Sequence, residues 1–531
     1  MAPQDRCANI FPVCREILSS ESWCRAVALH PPGEPWERFP DTLERLTDGG
    51  DLPPYIPDLA RLEWTYCQVT ERARPTPPLK GPAILNPTLE LVSCRWRNLP
   101  QLLSSKSAGA AVVSQGEELV AVWMDKNGQV HLEAAPPSDL VALKVIVGEA
   151  SPEEVAAQAG SSLGLLDAVL RQTIRRGLIL APRSSLRRDS ARFGPEAEVP
   201  EQFGVAQVFS LQWHLTQACD LHCRHCYDRS SRITPSLAQG LDILRQLRAF
   251  CQSRHVSGQV SFTGGNPFLH PQFFDLYRAA ADLGLGSIVL GNPVSEEKLE
   301  QMLAISTPIF YQVSLEGLEE HNDEIRGRGN FQRVLSFLET LRRFKVPSMV
   351  MLTLTRANLH QVLPLAALLR PLADDFFFNR LARFGEGASL ELPVIEDYPA
   401  FLAEYLEAAS QNPFLGLKDN LFNILLEERG LEPFGGCTGF GCGAAFSFVT
   451  LLSDGEVHAC RKFPSLIGNL KTASLEEIYD SAAAQRYRRG CLTCRNCSLH
   501  PACGGCLAIT ASLGGDPFTD RDPFCFKHRQ S

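Results

Sequence analysis

Twelve of the eighteen cysteines crowd into two groups, and this placement constrains the chain more than any other feature. The first group is Cys219, Cys223 and Cys226, a C-x3-C-x2-C spacing directly after the apolar run 209–216. The second comprises Cys437, Cys442, Cys460, Cys491, Cys494, Cys497, Cys503, Cys506 and Cys525. The opening MAPQDRCANIFPVCREIL shows no basic leader followed by an apolar stretch, so a reducing, cytoplasmic location is expected. In that setting clustered thiols favour metal over disulfides. Three thiolates within eight residues can wrap one metal centre. Structural zinc takes four protein ligands and closes its shell, whereas a [4Fe-4S] cubane held by three cysteines keeps one iron open. Cys7, Cys14, Cys24, Cys67, Cys94 and Cys251 lack close-spaced company and read as structural.

A chain of 531 residues exceeds any single small module, and 44% apolar with 21% charged residues is ordinary for a folded protein. Net charge is −9, which argues against a general electrostatic grip on nucleic acid. Residues 433–453 carry no charge, but five Gly, two Cys and a Pro make them loop rather than membrane span. No membrane association is expected.

Residues 1–108 hold helical patches near 11–29 and 40–46 and no chemistry that can be named. Across 109–184 the apolar run 110–113 precedes two alternating runs, 118–124 and 129–134, which flank Asn127-Gly128 and predict a β-hairpin. Three helical signals follow, at 139–147, at the capping box Ser151-Pro152-Glu153-Glu154, and in the stripe Leu165, Leu166, Val169, Leu170 and Ile174 closed by Gly177. Their sum is a winged helix-turn-helix. Arg171, Arg175 and Arg176 keep DNA binding open, and a purely structural role is the third reading. The element order also resembles the peptide-binding domains of maturation systems for ribosomally made peptides, where a leader peptide adds a strand to the hairpin edge. A linker is expected over 185–206.

From 207 to about 405, six short apolar runs (209–216, 259–263, 287–290, 310–315, 348–355 and 375–379) alternate with helical patterns. That pattern is α/β with a parallel sheet, doubly wound or a partial barrel, whose ligands belong at the strand C-terminal ends.

The cysteine trio in this position resembles the radical S-adenosylmethionine (SAM) family. The resemblance runs from about 207 to the C-terminus and implies a partial (β/α)6 TIM-like barrel. It further implies a cluster on Cys219, Cys223 and Cys226 whose open iron chelates the methionine end of SAM, for reductive cleavage to a 5′-deoxyadenosyl radical. Thr263-Gly264-Gly265-Asn266-Pro267 looks like the family's Gly-Gly-Glu-Pro segment beneath the methionine amino group, with Asn266 replacing the usual glutamate. Ser314 and Glu316 match the ribose-contacting segment, and the His225 main chain would meet adenine. An electron donor such as ferredoxin or flavodoxin is implied as well.

Residues 406–531 resemble the SPASM extension of radical SAM enzymes. By the family's crossing pattern, Cys437, Cys442, Cys460 and Cys506 would bind one auxiliary [4Fe-4S] cluster, and Cys494, Cys497, Cys503 and Cys525 the other. Two residues separate Cys503 from Cys506 where three are usual, so Cys491 is an alternative ligand. The C-x2-C-x5-C-x2-C run would also suit a zinc ribbon. Ser474-Leu-Glu-Glu477 predicts a capped helix between the halves. SPASM enzymes act mostly on peptides or proteins, so the implied substrate is a small ribosomally made precursor peptide. The Gly-Gly-Asn-Pro variant and the long N-terminal region are similar to the selenobiotic-type peptide maturases. Arg461 follows Cys460 where sulfatase-maturing members carry an aspartate base, which disfavours a sulfatase as substrate. An iron-sulfur DNA-binding redox sensor is the rival from another class.

Overall fold

The computed structural model describes residues 3–527 other than 80, 105–112, 159, 161 and 196. They form two compact units, Met1–Arg183 and Ser184–Ser531.

In the first unit five helices (Pro3–Ile10, Pro12–Ile17, Ser20–Leu29, Phe39–Asp48 and Ile56–Thr70) precede five strands. The strands are β1 (Ile84–Leu85), β2 (Glu90–Arg97), β3 (Ser114–Met124), β4 (Val130–Ala134) and β5 (Ile179–Leu180). Phe11, Phe39, Leu43, Leu59 and Leu62 share a core with Val120 and Val122 of β3, so the N-terminal helices bury one face of the sheet. The hairpin β3–β4 turns at Asn127-Gly128, with Gly128 at φ +88° and Asp125 Oδ1 accepting from the Asn127 and Gln129 amides. Sequence reading missed β2, which pairs antiparallel with β3 and makes the sheet three-stranded. The apolar run at 110–113 lies outside the described residues except for Val113.

The three anticipated helices follow as Pro137–Ile146, Pro152–Gln158 and Leu163–Arg176. Ser151 and Glu154 exchange both capping-box bonds, and Gly177 ends the third helix in the left-handed conformation. Arg176 donates to Asp139 at 2.6 Å and Glu133 at 2.7 Å, so this arginine is engaged within the fold.

The second unit is built on six parallel strands at the expected runs: β6 (Val208–Thr216), β7 (Ser257–Gly264), β8 (Gly286–Leu290), β9 (Tyr311–Ser314), β10 (Ser348–Leu354) and β11 (Asp375–Arg380). Leu211, Trp213, Val260, Phe262, Val289, Val313 and Leu352 are buried, as strands covered on both faces require. Three further strands extend this sheet: β12 (Phe448–Leu451) pairs in parallel with β6, and β13 (Glu456–His458) and β14 (Leu466–Asn469) follow antiparallel. The cysteine-rich region therefore continues the barrel sheet. Its bridging helix Leu475–Asp480 carries the anticipated Ser474–Glu477 capping box.

The stretch expected as a linker packs down instead of spanning open space. Ser184 Oγ donates to the Ala206 carbonyl at 2.5 Å, the Arg188 amide donates to the Gly204 carbonyl at 2.8 Å, and the Arg188 and Arg192 side chains are buried. Among the described residues no helix is long and apolar enough to cross a membrane.

Candidate functional site

The loop bearing Cys219, Cys223 and Cys226 leaves the C-terminal end of β6. The Gly-Gly-Asn-Pro segment at the end of β7 is hydrogen-bonded to it, with the Gly265 amide on the Thr216 carbonyl and the Asn266 amide on the Ala218 carbonyl, both at 2.8 Å. A Cβ at Gly264 would stand 2.3 Å from the Thr216 oxygen, and one at Gly265 would stand 2.1 Å from the Ala218 oxygen. Both glycines are thus required by backbone-on-backbone contact, and Gly264 adopts φ +119° besides.

Asn266 is buried and donates from Nδ2 to Asp220 Oδ1 at 3.1 Å. Asn292, at the end of β8, donates to the same oxygen at 2.6 Å, and Arg333 reaches Oδ2 at 3.2 Å. Burial opposes ionisation of Asp220, yet these three donors hold its carboxyl below its ordinary value. Asn266 thus faces a carboxylate, Asp220, borne by the cysteine loop itself. Sequence reading missed Asp220 and Asn292. The signal was the repeated Gly-Asn-Pro triplet, at 265–267 and 291–293, after successive strands.

Nitrogen donors reach two of the three sulfurs, Asn292 Nδ2 to Cys219 at 3.6 Å and Arg326 Nη1 to Cys223 at 3.8 Å. Arg326 is also bound through Nε to the Glu316 carboxylate at 2.9 Å, and Glu316 Oε2 accepts from the Thr353 amide at 2.8 Å. Glu316 is 1% exposed and lies just past β9. Burial opposes its charge, but His225 and Arg326 keep its pKa below the ordinary carboxylate value. Its carboxylate is committed to Arg326, and through Arg326 it braces the Cys223 side of the loop. Ser314 ends β9 half-buried. The turn after β11 closes over the same loop, with the Glu386 amide on the Cys226 carbonyl and Gly387 against the His225 carbonyl. Behind the loop, Tyr227 Oη meets the buried His214 ring, whose pKa burial pushes down to about 3.

The C-terminal cysteines sort into two cavities. The first, of about 110 Å³, is lined by Cys437, Cys442, Cys460 and Cys506 together with Gln212, Asn379, Lys418, Arg461 and Lys462. The second is lined by Cys494, Cys497, Cys503 and Cys525 with His500. Cys491 lines neither cavity, and its sulfur donates to the Asp520 carbonyl at 3.3 Å. Glycine makes the crossing possible. A Cβ at Gly441 would stand 2.4 Å from the Cys503 oxygen, the carbonyl that accepts from the Cys442 amide at 3.1 Å.

Burial pushes the Cys460 thiol up to about 12 and Cys506 up to about 11, so iron must displace protons on binding here. Among the described residues no three His, Cys, Asp or Glu side chains converge at single-ion spacing; the thiols line the two cavities instead. A donor set of soft thiolates around each void fits an iron-sulfur centre.

Arg380, at the end of β11, clamps this region to the barrel. Its guanidinium binds Asp419 at 2.6 Å and Asp522 at 2.7 Å, and Asp522 Oδ2 accepts from the Cys506 amide at 2.9 Å.

Residues 213–369 match the radical SAM superfamily, and residues 442–507 match SPASM, an iron-sulfur cluster-binding domain. The chain thus carries a radical SAM domain and a SPASM domain, which imply [4Fe-4S] clusters and SAM as cofactors. Among individual proteins it is similar to the mycofactocin maturase MftC of Mycolicibacterium smegmatis, 29% identical over 62% of this chain and 86% of that one. It is also similar to the AdoMet-dependent heme synthase of Methanosarcina barkeri, 27% identical over 59% of this chain and 95% of that one. In fold it is similar to Streptococcus suis SuiB, solved bound to its precursor peptide SuiA: TM-score 0.50, 16% identity, 77% of this chain and 96% of that one.

Proposed function

We propose that this enzyme couples SAM cleavage to the post-translational modification of a small ribosomally made precursor peptide. The observation that carries this reading is the unit ahead of the barrel. Its three antiparallel strands and three helices leave β4 as a sheet edge, where an extended leader peptide can add a strand. The maturase names of MftC and the SuiB–SuiA complex support the same substrate class.

In this reading Cys219, Cys223 and Cys226 hold the SAM-binding cluster, and Gly264, Gly265, Asn266, Ser314 and the His225 main chain line the SAM site. Glu316 acts through Arg326. Cys437, Cys442, Cys460 and Cys506 ligate one auxiliary cluster, and Cys494, Cys497, Cys503 and Cys525 the other. Bound there, cluster and SAM supply the radical that removes one substrate hydrogen. Lys418, Arg461 and Lys462 line the first auxiliary cavity beside Gln212 of β6 and Asn379 of β11, so cationic side chains surround the thiols of that site. The electron donor is a cytoplasmic ferredoxin or flavodoxin.

The test uses the full chain, reconstituted anaerobically, with SAM, dithionite and the synthetic product of a short neighbouring reading frame. Release of 5′-deoxyadenosine together with a SAM-dependent mass change in the peptide is expected. About twelve irons per chain should accompany it. Zinc without sulfide, or 5′-deoxyadenosine with no peptide bound or changed, overturns the proposal.

A further inference from the structure

Three arginines gather beneath the cysteine-rich region. Arg192 is 4% exposed and Arg188 is 9% exposed, both on the strap 184–206, and Arg488 is half-buried beside them. Arg188 donates to the carbonyls of Phe440 (2.9 Å) and Cys442 (2.5 Å), and its guanidinium lies 3.9 Å above the Phe446 ring. Arg192 donates to the carbonyls of Arg488 and Arg489 at 2.6 and 3.0 Å. Arg488 donates to the Ala445 and Tyr479 carbonyls. Among the described residues none of the three forms an ion pair with a carboxylate. Buried guanidinium charge that meets only carbonyls is costly, and like charges side by side make it more so.

Both strap arginines lie against the segments that carry the cysteines. Arg192 lies against Gly504, beside Cys503, where a Cβ would come within 2.7 Å of Nη2, and against Gly490 on its other side. Arg188 is bonded to Cys442 of the first cysteine cavity, and Gly504, against Arg192, stands between Cys503 of the second and Cys506 of the first, so the two guanidiniums lie where the cavities' segments meet. A cubane with four thiolate ligands carries net negative charge that deepens on reduction, and nearby charge is one of the levers on its potential.

We propose that Arg188 and Arg192 are the shared counter-cations of the two auxiliary clusters: they raise both reduction potentials, and the strap packs down over the region only when the clusters are loaded. The proposal rests on the reading that these eight cysteines hold two clusters. Arg192 is a positioning residue here, acting on the reaction through the clusters it faces. Its placement also accounts for the strap's conformation, since 184–206 carries the charges that two loaded sites require.

The experiment uses the full chain with Cys219, Cys223 and Cys226 replaced by Ala, so that only auxiliary clusters remain, reconstituted anaerobically. Midpoint potentials are read by dithionite titration with electron paramagnetic resonance, for the parent and for Arg192→Met and Arg192→Lys. About eight irons are expected throughout, with both potentials displaced to more negative values by Met and largely restored by Lys. Trypsin should cut after Arg187, Arg188 or Arg192 several-fold more slowly in the loaded parent than in the iron-free chain. Unchanged potentials at full iron overturn the proposal, as does equal cutting with and without iron. Should Arg192→Met lose iron, recovery of iron by Arg192→Lys supports the charge argument, and failure to recover makes the residue purely structural and overturns it. A parent chain that takes up no iron refutes the auxiliary-cluster reading itself, a result distinct from full iron with unmoved potentials.

Discussion

Replacing Arg380 by Met tests how the barrel holds the cysteine-rich region. The side chain keeps its length but loses its charge, and Asp419 and Asp522 are left facing each other with side-chain exposures of 5% and 1%. Removing one partner of a buried ion pair costs about 3–5 kcal/mol, because the remaining charge has neither water nor counter-ion. Tyr398 Oη still donates to Asp419 and the Cys506 and Phe524 amides still donate to Asp522, so the lower half of that range, about 3 kcal/mol, is expected. Urea unfolding of iron-loaded protein, followed by tryptophan fluorescence, reads the loss as a shift in midpoint at unchanged slope. Iron content should fall too, because Asp522 positions the Cys506 amide. The triple variant Arg380→Met, Asp419→Asn, Asp522→Asn should regain most of the stability, since no buried charge remains unpaired. A loss under about 1 kcal/mol in the single variant, or no recovery in the triple, would refute the reasoning.

Other outcomes follow from the core site. Asn266→Glu should weaken SAM binding roughly tenfold by setting a second carboxylate against Asp220, and adding Asp220→Asn should restore it; isothermal titration of the reconstituted enzyme decides. Gly265→Ala, with its Cβ 2.1 Å from the Ala218 carbonyl oxygen, should displace the cysteine loop and lower iron by about four per chain while sparing the auxiliary sites. His214 is held neutral, with its pKa depressed from 6.5 to about 3, so it contributes stability that is full above pH 6.5 and is lost as pH falls towards 3. His214→Gln should flatten the acid side of the stability curve across that window. A slope equal to that of the parent would remove His214 as its cause.

The barrel was legible because parallel strands buried on both faces leave apolar runs, and all six stand where those runs lie. The division of eight cysteines between two cavities was legible only by resemblance. Its physical cause is a set of glycine contacts, such as Gly441 on the Cys503 carbonyl, which spacing alone cannot reveal. Strand β2 was missed because Glu90, Ser93, Arg95 and Arg97 interrupt its apolar signal, although it is paired along nearly its whole length with β3. The strap was read as a linker because charge and proline mark open chain on average. Arg188 and Arg192 are buried, against that average, in a region of thiols that lie close only once the fold is formed. Asp220, Asn292, Arg326 and Arg380 escaped for the same reason: each gains meaning from a partner dozens of residues away.

The parallel pairing of β12 with β6 explains how one chain can serve two kinds of centre. Gln212 lines the first auxiliary cavity and bonds to Thr450 across the β6–β12 pair, and four residues further along the same strand Thr216 launches the core cysteine loop. At about 3.3 Å per residue those positions are roughly 13 Å apart. The first cysteine cavity and the core loop therefore lie within the span of one strand. Moving the auxiliary cavity without moving the core loop would require breaking that strand pair. A bulge-forming Gly inserted between Gln212 and Trp213 should accordingly preserve iron at both sites yet uncouple 5′-deoxyadenosine release from peptide modification. Coupled turnover in that variant would show that the shared strand is not what sets the geometry.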